Sequence, residues 1–208
     1  MSPLLVCLLG ALLIPLFLAT WRASLLGLAF QGLIMAGIAL PELTHQAPAQ
    51  AWLTLFDLGV VRGLVLPVAL YTALRATGAP SRNDVISPNL FSWMIALGLV
   101  LAAFNFSEAL VSEPGEPQTL VAIAIAGVLL GFLVLASAAG PFGQMVGALR
   151  IENAIALLEL SGSHRASLGM RLALLGIFLA TLGIFRWHLL STASPAKEGE
   201  HAPDSFTL

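Results

Sequence analysis

The run Gln144-Met145-Val146-Gly147-Ala148-Leu149-Arg150-Ile151-Glu152-Asn153 sets an arginine, a carboxylate and an amide inside an otherwise apolar stretch. These types handle ions and protons: a carboxylate takes up and releases a proton, and a neighbouring cation sets how readily it does so. A charge at the centre of a bilayer costs about 2.5 to 3.5 kcal/mol on insertion scales, so such residues face a protein interior or a wet path. The other polar groups at comparable depth are Gln31, Asp57, Arg62, Glu159 and Arg171. Glu159 follows Glu152 by two helical turns, so the two carboxylates share nearly one face, about 10 Å apart. Arg62 and Glu152 each lie about 15 Å from the end of their apolar runs and are expected to pair across the bundle.

Two readings of that pair stand side by side. In one, Glu152 is a relay carboxylate tuned by Arg62 or Arg150. In the other, a buried Glu-Arg pair only fixes helix register, since desolvation offsets most of its attraction. Pro67 cannot donate to the Gly63 carbonyl, so a kink is expected beside Arg62. Asp57 and Glu159 sit nearer one boundary, where either water contact or a relay role is open to them. Gln31 and Asn153 read as interhelical hydrogen-bonding groups. Arg171, about a turn inside the last helix, is expected to snorkel outward.

The elements that must position these groups are transmembrane helices. Of 208 residues, 58% are hydrophobic and 10% charged, with a mean hydropathy of +0.94; an ordinary soluble domain carries about 25% charged residues. The fold class expected is all-α, a polytopic helix bundle spanning residues 1–190, with a disordered cytoplasmic tail over 191–208. Seven helices are expected, near 3–20, 23–40, 51–74, 90–106, 118–138, 142–160 and 166–189. With the N-terminus outside and the C-terminus inside, Arg22, Arg75, Arg82, Arg186 and Lys197 fall on the cytoplasmic side and only Arg165 outside, as the positive-inside rule prefers. Met1-Ser2-Pro3 leads straight into apolar residues without a basic region, so the first helix is read as retained.

Several functions are set aside by composition. A net charge of -2, with scattered Lys and Arg, offers no nucleic-acid surface. The lone Cys7 gives neither an intrachain disulfide nor a Cys-rich cluster. His45, His164, His188 and His201 have no metal-ligand spacing, and no phosphate loop or nucleophile elbow occurs; no catalytic site, cofactor, metal site or small-molecule substrate is assigned. Small residues recur at Gly27, Gly32 and Gly37 and at Gly169, Gly176 and Gly183, spacings that permit close helix approach.

Three segments together resemble hydrogenase-4 membrane component E, a membrane-arm subunit of group 4 hydrogenases and formate hydrogenlyases. They are Trp21-Arg22-Ala23-Ser24-Leu25-Leu26-Gly27 with Gln31-Gly32-Leu33, Val61-Arg62-Gly63-Leu64-Val65-Leu66-Pro67, and the Gln144, Gly147, Glu152, Asn153 pattern. Helices five to seven, about 118–190, are similar to the K-type subunit of complex I and the C-type subunit of multisubunit cation/proton antiporters. The resemblance implies a cell inner membrane location in a bacterium or archaeon, other membrane subunits as partners, and a non-catalytic part in proton or sodium translocation coupled to an oxidoreductase complex. It makes Glu152 the counterpart of the family's relay glutamate and Arg62 that of its mid-membrane lysine. Arginine stays charged, so Arg62 serves as a fixed electrostatic partner, as does Arg150. The family's last-helix acid is missing here, where Arg171 stands; Glu159 either supplies that second site or the chain is a scaffold. A subunit of an antiporter without redox partners is the remaining alternative.

Overall fold

In the computed structural model, residues 2–17, 20–43, 47–77, 90–112, 114–161 and 167–192 are described, and they form seven helices with no strand among them. These are α1 (Pro3–Phe17), α2 (Trp21–Leu43), α3, α4 (Leu90–Leu110), α5 (Glu116–Ser137), α6 (Pro141–Ser161) and α7 (Leu168–Thr192). Helix α3 is one continuous rod of three windings, α-helical over Pro48–Leu55, π-helical over Phe56–Val65 and α-helical again over Leu66–Thr77. Five helices are long and apolar enough to cross a membrane, over Trp21–Pro41, Pro48–Ala76, Leu90–Leu110, Glu116–Ser137 and Leu168–Ser191.

Helix starts follow local chemistry. Thr20 Oγ1 accepts the Ala23 N–H and Ser167 Oγ accepts the Met170 N–H, satisfying donors that the first turns of α2 and α7 leave open. Prolines stand at the first turns of α3 and α5 and open α6, where a missing N–H costs nothing. Gly115, at φ 142°, provides the left-handed turn into α5 that a side chain would resist. Helix α7 continues to Thr192, two residues into the stretch expected as tail; 193–208 lie outside the described residues, as do Arg82, Arg165, Lys197, His45, His164 and His201.

Two close crossings hold the bundle. A Cβ on Gly32 of α2 would lie 2.6 Å from the Gly63 backbone nitrogen of α3, and one on Gly147 of α6 would lie 2.8 Å from the Leu135 nitrogen of α5. Only glycine lets these backbones approach so closely, which is how membrane helices pack where no hydrophobic drive separates protein from lipid. By contrast, Gly176 and Gly183 of α7 face open space, so the glycine spacing of that helix serves no contact within this chain. The core between the crossings is Leu, Val, Ala, Met and Phe, and includes Leu28, Met35, Leu66, Leu130 and Leu149, all inaccessible.

Immediately upstream of Pro67, beside which a kink is expected, the helix takes π winding. Pro67 lacks the N–H that Gly63 O would accept in an α-helix, and the Leu66 N–H donates instead to Val61 O, five residues back. Wider turns thus carry the α3 backbone through the segment containing Asp57 and Arg62.

Candidate functional site

Arg62 is 2% exposed and stands at the centre of a polar chain that links four helices. Its Nε lies 3.0 Å from Asp57 Oδ1, and its Nη1 donates to Asn153 Oδ1 of α6 at 2.9 Å. The guanidinium also stacks 4.1 Å above the ring of Phe178 of α7, a cation–π contact. Asn153, wholly buried, passes the chain on by donating Nδ2 to Gln31 Oε1 of α2 at 3.5 Å. The Gly32–Gly63 crossing brings Gln31 and Arg62 onto adjoining turns, so the packing glycines and the polar network are one local arrangement.

Glu152 takes a different partner from the one expected. Among the described residues, Arg62 forms its ion pair with Asp57, while Glu152 Oε1 accepts the Thr181 hydroxyl at 2.7 Å and Glu152 Oε2 is buried without a hydrogen-bond partner. Asp57 wins because π winding brings a residue five positions before Arg62 onto its face, whereas Glu152 lies one residue around α6 from Asn153, which occupies the facing position. The Glu152 side chain is half-buried; Thr181 is its hydrogen-bond partner, and Arg62 acts on it electrostatically without making an ion pair.

Two turns along α6, Glu159 lies 3.2 Å from Arg171 Nε of α7, and Arg171 Nη1 donates to Thr54 Oγ1 of α3. The start of α3, the end of α6 and the start of α7 therefore meet, and they surround a small open cleft whose lining includes Thr54, Asp57, Glu159 and Arg171. Arg171 turns inward to these groups instead of snorkelling away. A cation of the last helix thus holds the Glu159 carboxylate of the neighbouring helix.

Arg150 lies apart from this chain. It is 1% exposed and donates Nη2 to the Leu12 carbonyl of α1 at 2.8 Å, while its Nε and Nη1 have no hydrogen-bond partner. Within the Gln144 to Asn153 segment, Gln144 is exposed, Gly147 makes the crossing with α5, and Glu152 and Asn153 face the polar interior. No group of three or more His, Cys, Asp or Glu that could hold a metal ion occurs among the described residues.

Thr181, Phe178 and Thr54 are the site residues that sequence reasoning missed. A hydroxyl among apolar residues gives a weak signal on its own, but Phe178 follows Arg171 by two turns on the same face, and that spacing was readable.

Together these features define a class: a bundle of seven helices among the described residues, five of them long and apolar enough to cross a membrane, with a buried charge network beside a small cleft. The chain is 32% identical over 155 residues to the uncharacterized protein Rv0085 of Mycobacterium tuberculosis, covering 71% of this chain and 70% of that one, and it belongs to the family of that protein. No protein-family model and no solved structure matches it.

Proposed function

We propose that this chain is a membrane-arm subunit of a complex-I-like, hydrogenase-related assembly, in which Glu152 takes part in proton movement coupled to electron transfer on partner subunits. The observation that carries the reading is the polar succession from the cleft through Asp57, Arg62 and Asn153, with Glu152 next to Asn153 on α6 and within electrostatic reach of Arg62. Buried polar groups of this kind are costly in a membrane and mark ion or proton paths. The similarity of the three sequence segments to hydrogenase-4 membrane component E supports the kind of assembly. The chain has no catalytic centre of its own in this reading, and its partners are other membrane subunits and the lipid bilayer.

Protons are favoured over sodium because each carboxylate at the mouth of the path faces a guanidinium, Glu159 with Arg171 and Asp57 with Arg62. A metal cation needs several oxygen ligands free to coordinate it, and fixed positive charge beside them opposes its entry. We place the N-terminus outside and the C-terminus inside, in a bacterial or archaeal cell membrane. Arg22, Arg75 and Arg186 then share the cytoplasmic end, as the positive-inside rule asks.

A scaffold reading is favoured by one observation, that Asp57–Arg62 and Glu159–Arg171 are closed pairs that also fix how α3, α6 and α7 pack. The two readings part at Glu152→Gln, which keeps shape and removes the titratable proton. The assembly purified with the substituted chain should stay intact and lose ion coupling; intact coupling leaves only the scaffold. Identification of the subunits that co-purify with the full chain from native membranes decides between a hydrogenase-like assembly and an antiporter without redox partners.

A further inference from the structure

From the burial pattern on the two sides of Arg62, we infer that Glu152 communicates with water from one face of the bundle only, the face bearing the cleft, and is sealed from the other by an apolar plug. This deepens the relay reading of Glu152 and rests on it for its meaning, though not for its test.

Among the described residues, the polar groups hydrogen-bonded into the network lie on the cleft side of Glu152 or at its level. Thr54, Glu159 and Arg171 line the opening; Asp57 follows at 17% side-chain exposure; Arg62 and Asn153 lie behind it, and Glu152 with Thr181 beside them. Exposure is 21% at Glu159 and 17% at Asp57 and drops to 2% at Arg62 and 0% at Asn153, while Glu152 and Thr181 are half-buried. The distance is short: Glu159 precedes Glu152 by seven residues on the path inward along α6, about 10 Å.

On the far side the described buried residues of α3, α6 and α7 are apolar apart from Arg150. The buried residues of α3, α6 and α7 beyond this level include Leu66, Leu70, Leu74, Leu149, Leu182 and Leu189. Leu66 to Leu74 alone covers about 12 Å of helix. A water file needs polar partners for each molecule, and an aliphatic interior supplies none, so this length is dry. Arg150, the buried charge near this level, is turned toward the Leu12 carbonyl of α1 rather than into the plug. The orphaned Glu152 Oε2 fits the same picture: a carboxylate oxygen buried beside a hydroxyl-bonded one is the place where a proton arriving along the path is held.

The test uses the unsubstituted full chain in sealed vesicles of both orientations, with a C-terminal tag reporting which face is outward. The C-terminal end of α7 lies opposite the cleft, so the cleft face is the one from which the tag is not reached. A water-soluble carbodiimide modifies protonated carboxyls, and the modified residues are mapped by mass spectrometry. Modification of Glu152 is expected when the reagent meets the cleft face and is expected to be lost when it meets the other. Modification from the opposite face, or from neither, overturns the inference. A second arm uses a Cys7→Ser background with Thr54→Cys or Leu70→Cys and a membrane-impermeant thiol reagent. Thr54→Cys should label from the cleft face and Leu70→Cys from neither; labelling of Leu70→Cys from the tag face overturns the seal. If Glu152→Gln leaves coupling intact while access stays one-sided, the relay reading fails and the access inference stands.

Discussion

Asp57 and Arg62 sit five residues apart on α3 and form an ion pair with Nε 3.0 Å from Oδ1, a contact that a regular α-helix would not make. At 3.6 residues per turn, positions five apart point about 140° away from each other. The π winding of Phe56–Val65 turns less per residue and brings the two onto one face. The pair and the unusual winding are therefore one feature. It neutralises a cation that is 2% exposed.

Removal of Asp57 should be costly and removal of both partners much less so. Asp57→Asn leaves Arg62 with the Asn153 amide and the Phe178 ring but without its ion pair, and breaking a buried pair by losing one partner costs about 3 kcal/mol. The double variant Asp57→Asn with Arg62→Met should recover most of that loss. Chemical or thermal unfolding in detergent of the four proteins of the cycle measures the coupling; strictly additive losses would show that the pair does not matter to stability.

Substitution at Gly32 should separate from substitution at Gly176. The added methyl of Gly32→Ala meets backbone of α3, where nothing flexible can yield, and overpacking of this kind costs about 1 to 3 kcal/mol. Gly176→Ala adds its methyl to open space and should change stability by less than about 0.5 kcal/mol. Equal melting temperatures for the two variants contradict the crossing.

Thr181 should prove to be a positioning residue for Glu152. Thr181→Val keeps the shape and leaves Oε1 without its donor, a loss of about 0.5 to 1.5 kcal/mol for a part-buried hydrogen bond, and Thr181→Ser should restore it. In the assembled complex, the pH profile of ion coupling should shift in Thr181→Val and return in Thr181→Ser. A purely structural hydroxyl would change stability and leave that profile where it was.

Arg150 carries the opposite expectation. It is buried with one hydrogen bond and two nitrogens without partners, so Arg150→Met exchanges a desolvated cation for an apolar side chain of similar length. Such exchanges are often neutral or stabilising by about 1 to 4 kcal/mol. A rise or no change in the unfolding midpoint is expected; a large fall would reveal an anionic partner for Arg150 in the intact assembly.

Much of the bundle was legible in the chain. The seven helices follow from apolar runs cut by Pro and Gly, and their ends fall within a few residues of those expected, because burial of continuous apolar length decides them locally. The α4 helix runs four residues further than expected, to Leu110, since Ser107 tucks its hydroxyl onto the Phe104 carbonyl and Asn105 and Glu108 remain exposed, where polarity does not break a helix. The list of buried polar residues was also readable, because in apolar surroundings every charge stands out.

What the sequence could not decide was who pairs with whom. Depth along each helix put Arg62 level with Glu152, and the one-dimensional argument paired them. Rotation about each helix axis settles partners, and that depends on the Gly32–Gly63 crossing and on the π turn that no periodicity announces. The same holds for Arg171, whose position allowed snorkelling until α3 and α6 supplied Thr54 and Glu159 at the right angle. Composition and spacing by themselves determined an apolar helix bundle with a small set of deep charges. Tertiary packing alone decided that Asp57, Arg62, Asn153 and Gln31 form one hydrogen-bonded chain and that Glu152 bonds Thr181 beside it, because contact between helices is set by rotation and crossing, which sequence distance does not encode.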